Sequence, residues 1–433
     1  MTPLIAHPSP KFGGETDLPG DKSISHRALI FSALAEGTSK VTGLLVSDDV
    51  RATEEAVKAF GAHIERDTEG LLITGRDWES PSDPIDCGNS GTSARLLMGA
   101  AAGFEGLSAR FIGDESLSSR PMGRVMTPLR RMGAVFTGDD TLPIDLVGAK
   151  LGGIDYASPV ASAQVKSAIL LAGLQTDAPV RVVEPHLSRD HTEVMLAQFG
   201  VDGAMDEVEN GIAISLGDNR KLSATRIDVP GDPSSAAFAW AAGAMIPGAS
   251  VTTRRVCVNA TRTGFVEMLE RMGAKVTLSN QTVLSGEPVA DVTVAHDRLE
   301  PISLSAEEVP ALIDEIPILA CVAAMADGES VFEGIAELKV KESDRIGATA
   351  AGLIANGVTA APGEDSLRIF GKGKVAGGRI ISTRHDHRIA MAFLTLGLAA
   401  ESAITVDNAD PIATSFPDFT AIMRGLGGVI TAR

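Results

Sequence analysis

A short signature recurs six times along the 433 residues: AVKAFGA, PLRRMGA, MLAQFGV, MLERMGA, LIANGV and IMRGLGG, closing on Gly61, Gly133, Gly200, Gly273, Gly357 and Gly427. The glycines are 72, 67, 73, 84 and 70 residues apart, so the chain has to fold as repeats of one supersecondary unit. Each signature reads as the end of an amphipathic helix, closed by a glycine able to take the left-handed C′ conformation and followed by a short apolar strand. Upstream of each lies a helix of different character: SHRALIFSALAEG, SARLLMGAAAG, KSAILLAGL, SSAAFAWAAGAM, DEIPILACVAAMADG and DHRIAMAFLTLGLAA. These are rich in small residues and apolar on nearly every face, the pattern of a helix buried all round. With SKVTG, SVTT, RVVEP and ESVFEG as strands, one unit reads β-α-β-α-β-β. The predicted class is α/β, with helices inside and sheets facing outward.

A second similarity groups the units in threes. PGDKSISHRALIFSALAEGTSKVTG, from Pro19, resembles PGDPSSAAFAWAAGAMIPGASVTT, from Pro230, at an offset of 211 residues. The expected division is residues 18–228, carrying repeats one to three, and residues 1–17 plus 229–433, carrying repeats four to six. DLP and DVP stand at the joints, and KFGGETDL is a spare strand that completes the sheet of the second half.

Composition narrows the partners. A net charge of -18 leaves no general basic face for nucleic acid or an anionic membrane. Cys87, Cys257 and Cys321 have no CxxC spacing, so neither a disulfide framework nor a zinc site is encoded. The apolar run Ala236 to Ile246 is too short to span a bilayer, and MTPLIAHPSPKFGGE lacks a basic region followed by an apolar one. A cytoplasmic protein is expected.

The chemistry-bearing residues gather at helix heads. GDKSISHR sets Asp21 and Ser23 at a helix start with Lys22 and Arg27 beside them, an arrangement suited to an anion and equally to a simple cap. DCGNSGTSARLLMG brings Gly91 and small hydroxyls to the head of a buried helix. In GDESLSSRPMGR, Arg120 precedes Pro121, which is placed as the first residue of the next helix. Arg189, Arg262 and Arg345 occupy the same slot of their own units, where a cation opposes the helix dipole unless an anion sits between. SAQVKSAILL adds Ser162, Ala163, Gln164 and Lys166. LIDEIPIL and KVKESDR bring Asp314, Glu315, Lys341 and Glu342, candidates for proton transfer whose bland readings are a cap and a first-turn acid. RHDHRIAMAF suits a cap at Asp386 with Arg388 as an anion contact better than a metal site. No GxSxG elbow accompanies Ser25 and His26.

Taken in order, PGDKSISHR, NSGTSAR, RPMGR, SAQVKSA, RDHTE, PGDPSS, IDEIPIL, VKESDR, DHRIAM and SFPDF resemble the EPSP synthase (3-phosphoshikimate 1-carboxyvinyltransferase) family, in its more divergent bacterial branch, from about Lys11 to the C-terminus. The resemblance implies an enolpyruvyl transferase-like fold of two similar halves with the site in the cleft between them. It implies transfer of the enolpyruvyl group of phosphoenolpyruvate to the 5-hydroxyl of shikimate 3-phosphate, with no metal, no organic cofactor and a monomeric protein. By that resemblance Lys22, Ser23, Arg27, Ser162, Ala163, Gln164, Arg189, Asp314 and Lys341 bind shikimate 3-phosphate. Lys22, Gly91, Arg120, Gln164, Arg345 and Arg388 bind phosphoenolpyruvate, and Asp314, Glu342 and Lys22 carry the proton transfers. Ala163 stands where many members have a second serine, and Ser415 where much of the family has a lysine. Gly91 keeps the phosphoenolpyruvate pocket roomy, which implies glyphosate sensitivity, whereas the divergent branch often goes with tolerance. The alternatives are the sister transferase acting on UDP-N-acetylglucosamine, whose loop cysteine is missing from GDESLSSR, and a non-catalytic anion-binding repeat scaffold.

Overall fold

The computed structural model describes residues 2–433. In chain order the helices are α1 (Lys22–Leu34), α2 (Asp48–Ala59), α3 (Gly91–Ala101), α4 (Glu115–Ser118), α5 (Gly123–Met132), α6 (Ala163–Gly173), α7 (His191–Gln198), α8 (Pro233–Met245), α9 (Gly264–Arg271), α10 (Ile316–Ala324), α11 (Arg345–Ala355), α12 (His387–Ala399) and α13 (Phe419–Gly425). The apolar-all-round helices are the interior: every residue of α8 and of α10 is buried. The signature helices are the partly exposed ones, and all six closing glycines take positive φ, between 85° and 116°.

Six four-stranded sheets cover these helices. In each, a lead strand runs parallel to its neighbour and the other pairings are antiparallel, as in Ile154–Ala157 beside Val180–Glu184. Strand Ser366–Lys372 shows the expected alternation, with Leu367, Ile369 and Gly371 turned inward, because successive side chains leave opposite faces of a sheet.

By compactness the chain forms two units. One comprises Met1–Pro19, Pro230–Val283 and Pro288–Arg433; the other comprises Gly20–Val229 and Leu284–Glu287. The interleaving has a topological cause. Strand Gly13–Asp17 lies parallel to Ser250–Cys257 and leads the fourth repeat's sheet. The first repeat is led instead by Arg226–Asp228, parallel to Thr38–Thr42. Leu4–His7 fills the third place of the last sheet, between Ile404–Val406 and Val429–Ala432. Each unit thus closes on a strand from the far end of its own sequence, a role that no local pattern marks in Arg226–Asp228 or Leu4–His7.

Small residues let the inner helices touch. At Gly99 of α3, an added Cβ would lie 2.4 Å from the carbonyl oxygen and 2.6 Å from the Cα of Ala168 in α6, so the two backbones meet there with no room for a methyl group. Elsewhere in a helix alanine is better than glycine by about 1 kcal/mol. At this contact Gly99→Ala is expected to destabilise by about 1–3 kcal/mol, as overpacking does. Urea unfolding measures it, and an equal or higher midpoint for the variant would contradict the packing.

Candidate functional site

In the unit Gly20–Val229, three helix heads carry the predicted residues. At α1, Asp21 is the N-cap, accepting from the Ile24 N–H at 2.8 Å. Lys22 opens the helix and pairs with the buried carboxylate of Asp49. One turn on, Arg27 donates through Nε to Thr192 Oγ1 at 2.7 Å, through one terminal nitrogen to Ser167 Oγ at 2.7 Å and through the other to the Ser23 carbonyl at 3.0 Å. Burial brings its pKa down to about 10, although Glu193 and Asp21 pull the other way.

At α3, Ser90 caps the helix by accepting from the Ser93 N–H, and Gly91 is the first helical residue. Its missing side chain matters: a Cβ there would sit 2.7 Å from one terminal nitrogen of Arg95 and 3.6 Å from one of Arg120. Arg95 donates to Gln164 Oε1 at 2.7 Å and to the Pro121 carbonyl at 3.0 Å, and Gln164 donates to Thr92 Oγ1 at 3.0 Å. Arg120 donates to Asn89 Oδ1 at 2.7 Å and to Ser116 Oγ at 3.0 Å. Gly91, Arg120 and Gln164 are therefore neighbours, and bare backbone beside two guanidiniums suits an anion.

At α6 the N-cap is Ser162, and its hydroxyl does not close the helix. Asp21 and Ser90 do cap α1 and α3. Ala163 and Gln164 follow as the first helical residues, and Arg189 lies just before Asp190, the N-cap of α7.

In the other unit, Arg345 is the centre of a charge cluster. It donates to Asp386 at 2.8 and 3.2 Å, to Glu342 at 2.6 Å and to Asp314 at 3.3 Å. Burial alone would lower its pKa; Asp386, Glu342 and Asp314 outweigh that and raise it. Lys341 Nζ also stands 3.3 Å from Asp314. Asp386 caps α12 through the Arg388 N–H, and the Arg388 guanidinium meets Glu315 at 3.5 Å and the Ser234 carbonyl at 3.4 Å. Asp314, Lys341, Glu342, Arg345 and Arg388 thus converge. Ser415 is buried at the end of the turn Asp410–Thr414, its hydroxyl without a hydrogen-bond partner among the described residues.

Some sequence readings need correction. Pro121 is not the first residue of a helix: α5 starts at Gly123 with Met122 as N-cap. Arg120 instead follows the short α4, donating its N–H to the Leu117 carbonyl, where a cation is favoured rather than opposed. Arg189 and Arg262 likewise precede their caps, so that of these four arginines Arg345 alone lies inside a first turn, with three carboxylates in compensation. Asp314 lies in a 3₁₀ turn, Ile313–Glu315, and the N-cap of α10 is Glu315 instead. His26 is buried, its Nδ1 2.7 Å from Thr53 Oγ1, and burial holds its pKa well below the usual histidine value. That is a core histidine. Among the described residues no group of three or more His, Cys, Asp or Glu is placed to hold a metal ion, and no helix is long and apolar enough to cross a membrane.

Sequence reasoning missed Arg95, Asp49 and the carboxylate bonds of Asp386. A signal existed for Arg95, four residues after Gly91 and so on the same helix face. Asp49 had none, since its link to Lys22 exists only in three dimensions.

Known proteins resemble this chain along its whole length. The sequence model of the family described as EPSP synthase (3-phosphoshikimate 1-carboxyvinyltransferase) matches residues 7–423. A 3-phosphoshikimate 1-carboxyvinyltransferase of Caulobacter vibrioides is 49% identical over 99% of this chain and 98% of its own. One from Pseudomonas sp. strain PG2982 is 47% identical over 99% and 97%. A solved EPSP synthase of Acinetobacter baumannii superposes with a TM-score of 0.87 at 43% identity, covering 100% of both chains. An enolpyruvyl transferase of Streptomyces tendae, 19% identical, covers 100% of this chain and 99% of its own at a TM-score of 0.80 and shares the fold. With full-length identity near one half and the same fold throughout, the chain belongs to the EPSP synthase (3-phosphoshikimate 1-carboxyvinyltransferase) family.

Proposed function

We propose that the two sets of helix-head residues act together on one pair of substrates, transferring the enolpyruvyl group of phosphoenolpyruvate to the 5-hydroxyl of shikimate 3-phosphate and releasing phosphate. The observation that carries the reading is Asp314, a carboxylate held 3.3 Å from both Lys341 and Arg345 in a chain whose full length matches the family. Ser23 and Arg27 take the shikimate carboxylate. Ser162, Ala163, Arg189 and Lys341 take the phosphate, the first two at the α6 head left without a side-chain cap, and Gln164 takes the ring. Gly91, Arg120, Arg345 and Arg388 take phosphoenolpyruvate, and Lys22 serves both ligands. The resemblance implies neither metal nor organic cofactor, and a monomeric protein.

The chemistry is a paired proton transfer. Asp314 accepts the hydroxyl proton as the oxygen bonds to C2 of phosphoenolpyruvate, while Glu342 or Lys22 delivers a proton to the methylene carbon. The resulting tetrahedral adduct loses phosphate and one methyl proton, restoring the alkene. Fixed cations around both anions act without reorganising during reaction, and holding two reactants in place supplies much of the remaining acceleration.

Phosphate release from phosphoenolpyruvate should require shikimate 3-phosphate and not occur with UDP-N-acetylglucosamine; the opposite preference would overturn the assignment. The loop from Gly113 to Arg124 contains no cysteine, and all three cysteines of the chain are buried. Asp314→Ala should abolish turnover yet leave shikimate 3-phosphate affinity within about tenfold; near-normal turnover would remove Asp314 from the mechanism. With no Cβ at Gly91 beside Arg95 and Arg120, glyphosate should inhibit competitively with phosphoenolpyruvate. Weak inhibition would show that the side chains around Gly91, Arg95 first among them, leave the inhibitor no room.

A further inference from the structure

A lysine inside an apolar helix is costly unless its charge is fully met. Lys166 of α6 is completely buried, as is Glu184, the last residue of strand Val180–Glu184. Its ammonium lies 2.9 Å from Glu184 and 2.8 Å from Glu193 of α7. Burial lowers the lysine's pKa, but the two carboxylates outweigh it and raise the value. Well-packed apolar residues would give such a place equal or better stability, so stability alone does not account for three ionisable groups here.

The bonds of Glu184 suggest what does. One carboxylate oxygen accepts from the Ser162 N–H at 2.8 Å. The other accepts from the Ser188 N–H at 3.3 Å, and the Ser188 hydroxyl reaches both oxygens at 2.8 Å. Lys166 Nζ also donates to the Ser188 carbonyl at 3.4 Å. One carboxylate, fixed from behind by one ammonium, thereby ties the segment ending in Ser162 to the segment leading into Arg189. The adjacent residues on the same two helices, Ser167 after Lys166 and Thr192 before Glu193, hold Arg27.

We infer that Glu184 is a positioning residue: with Lys166 and Glu193 fixing it, its carboxylate sets the spacing of the Ser162 and Arg189 segments and so the fit to the phosphate of shikimate 3-phosphate. This rests on the reading that Ser162 and Arg189 hold that phosphate. It assigns the triad a role mainly toward one substrate, since Arg120, Arg345 and Arg388 bond residues outside it and Gln164 is held instead by Arg95 and Thr92.

Glu184→Gln keeps the volume and one acceptor oxygen but cannot accept on both sides. The expected result is a Kd for shikimate 3-phosphate raised about tenfold or more by calorimetry. The KM for phosphoenolpyruvate at saturating shikimate 3-phosphate should stay within about twofold, with kcat within a few-fold. A variant whose two substrates weaken equally, or whose shikimate 3-phosphate affinity is unchanged, overturns the inference. Should Glu184→Gln not fold, Ser188→Ala removes the hydroxyl bond alone and is read in the same way, with about three- to fivefold expected. Wild-type protein that turns over both substrates alongside an unshifted variant rejects only the positioning role. Wild-type protein that neither binds nor turns over shikimate 3-phosphate rejects the functional reading as well.

Discussion

A helix with no solvent-facing side has only its ends on which to place polar groups. That constraint organises the molecule. Every residue of α8 and α10 is buried, and α3 meets α6 at Gly99 with backbone against Ala168. Charge within such a helix body needs compensation, as the triad around Lys166 shows. Charge at the N-terminal head can meet a ligand and the unpaired N–H groups of the first turn. Lys22, Ser23, Gly91, Ser162, Ala163, Gln164 and Arg388 all stand at the heads of buried helices, and Asp314 in the turn just before one. Packing the repeat and bringing polar groups to the helix heads are two results of the same pattern.

The heads then need fixed geometry. Arg345 uses its fork on three carboxylates, and Asp386 bonds Arg345 while capping α12 beside Arg388. A guanidinium held this way has surrendered its rotamer freedom in advance, so ordering it costs little when an anion arrives. The Arg95 bond to Gln164 plays the same part near Gly91. Both are preorganised arrangements, the condition under which fixed dipoles and charges favour a transition state most.

The repeat was legible in sequence because it depends on local rules. A glycine ending a helix in the left-handed region has a mechanism at each of six positions, from Gly61 to Gly427, and so has an all-apolar helix. Most helix heads were legible for the same reason; the exceptions are Arg189 and Arg262, which precede their caps, Asp314, which lies in a 3₁₀ turn, and Pro121, whose ring suits the first turn but which here stands before the cap Met122. What stayed hidden was pairing across long separations. The lead strand Arg226–Asp228 finds Thr42 from 186 residues away through Asp228, and Leu4–His7 finds the last sheet from the opposite end of the chain. Asp49 beside Lys22 and Glu184 beneath Ser162 belong to this class: each looks like an ordinary surface acid in the sequence, and only burial reveals otherwise.

The chain's charge of -18 sits oddly with two anionic substrates, and screening removes only part of the difficulty, since surface charge fades beyond about 8 Å at physiological salt. The ion pairs supply the rest. Lys22 faces Asp49, Lys341 faces Asp314, Arg388 faces Glu315 and Arg262 faces Asp232. A cluster of uncompensated cations would repel itself and be expensive to bury. Here each cation is held by a carboxylate on one side, and a guanidinium with five donors can keep that bond while offering others. The acids therefore do not cancel the anion sites. They make it possible to bury Arg262 and Arg388, and they hold each cation so that its remaining donors point away from the acid.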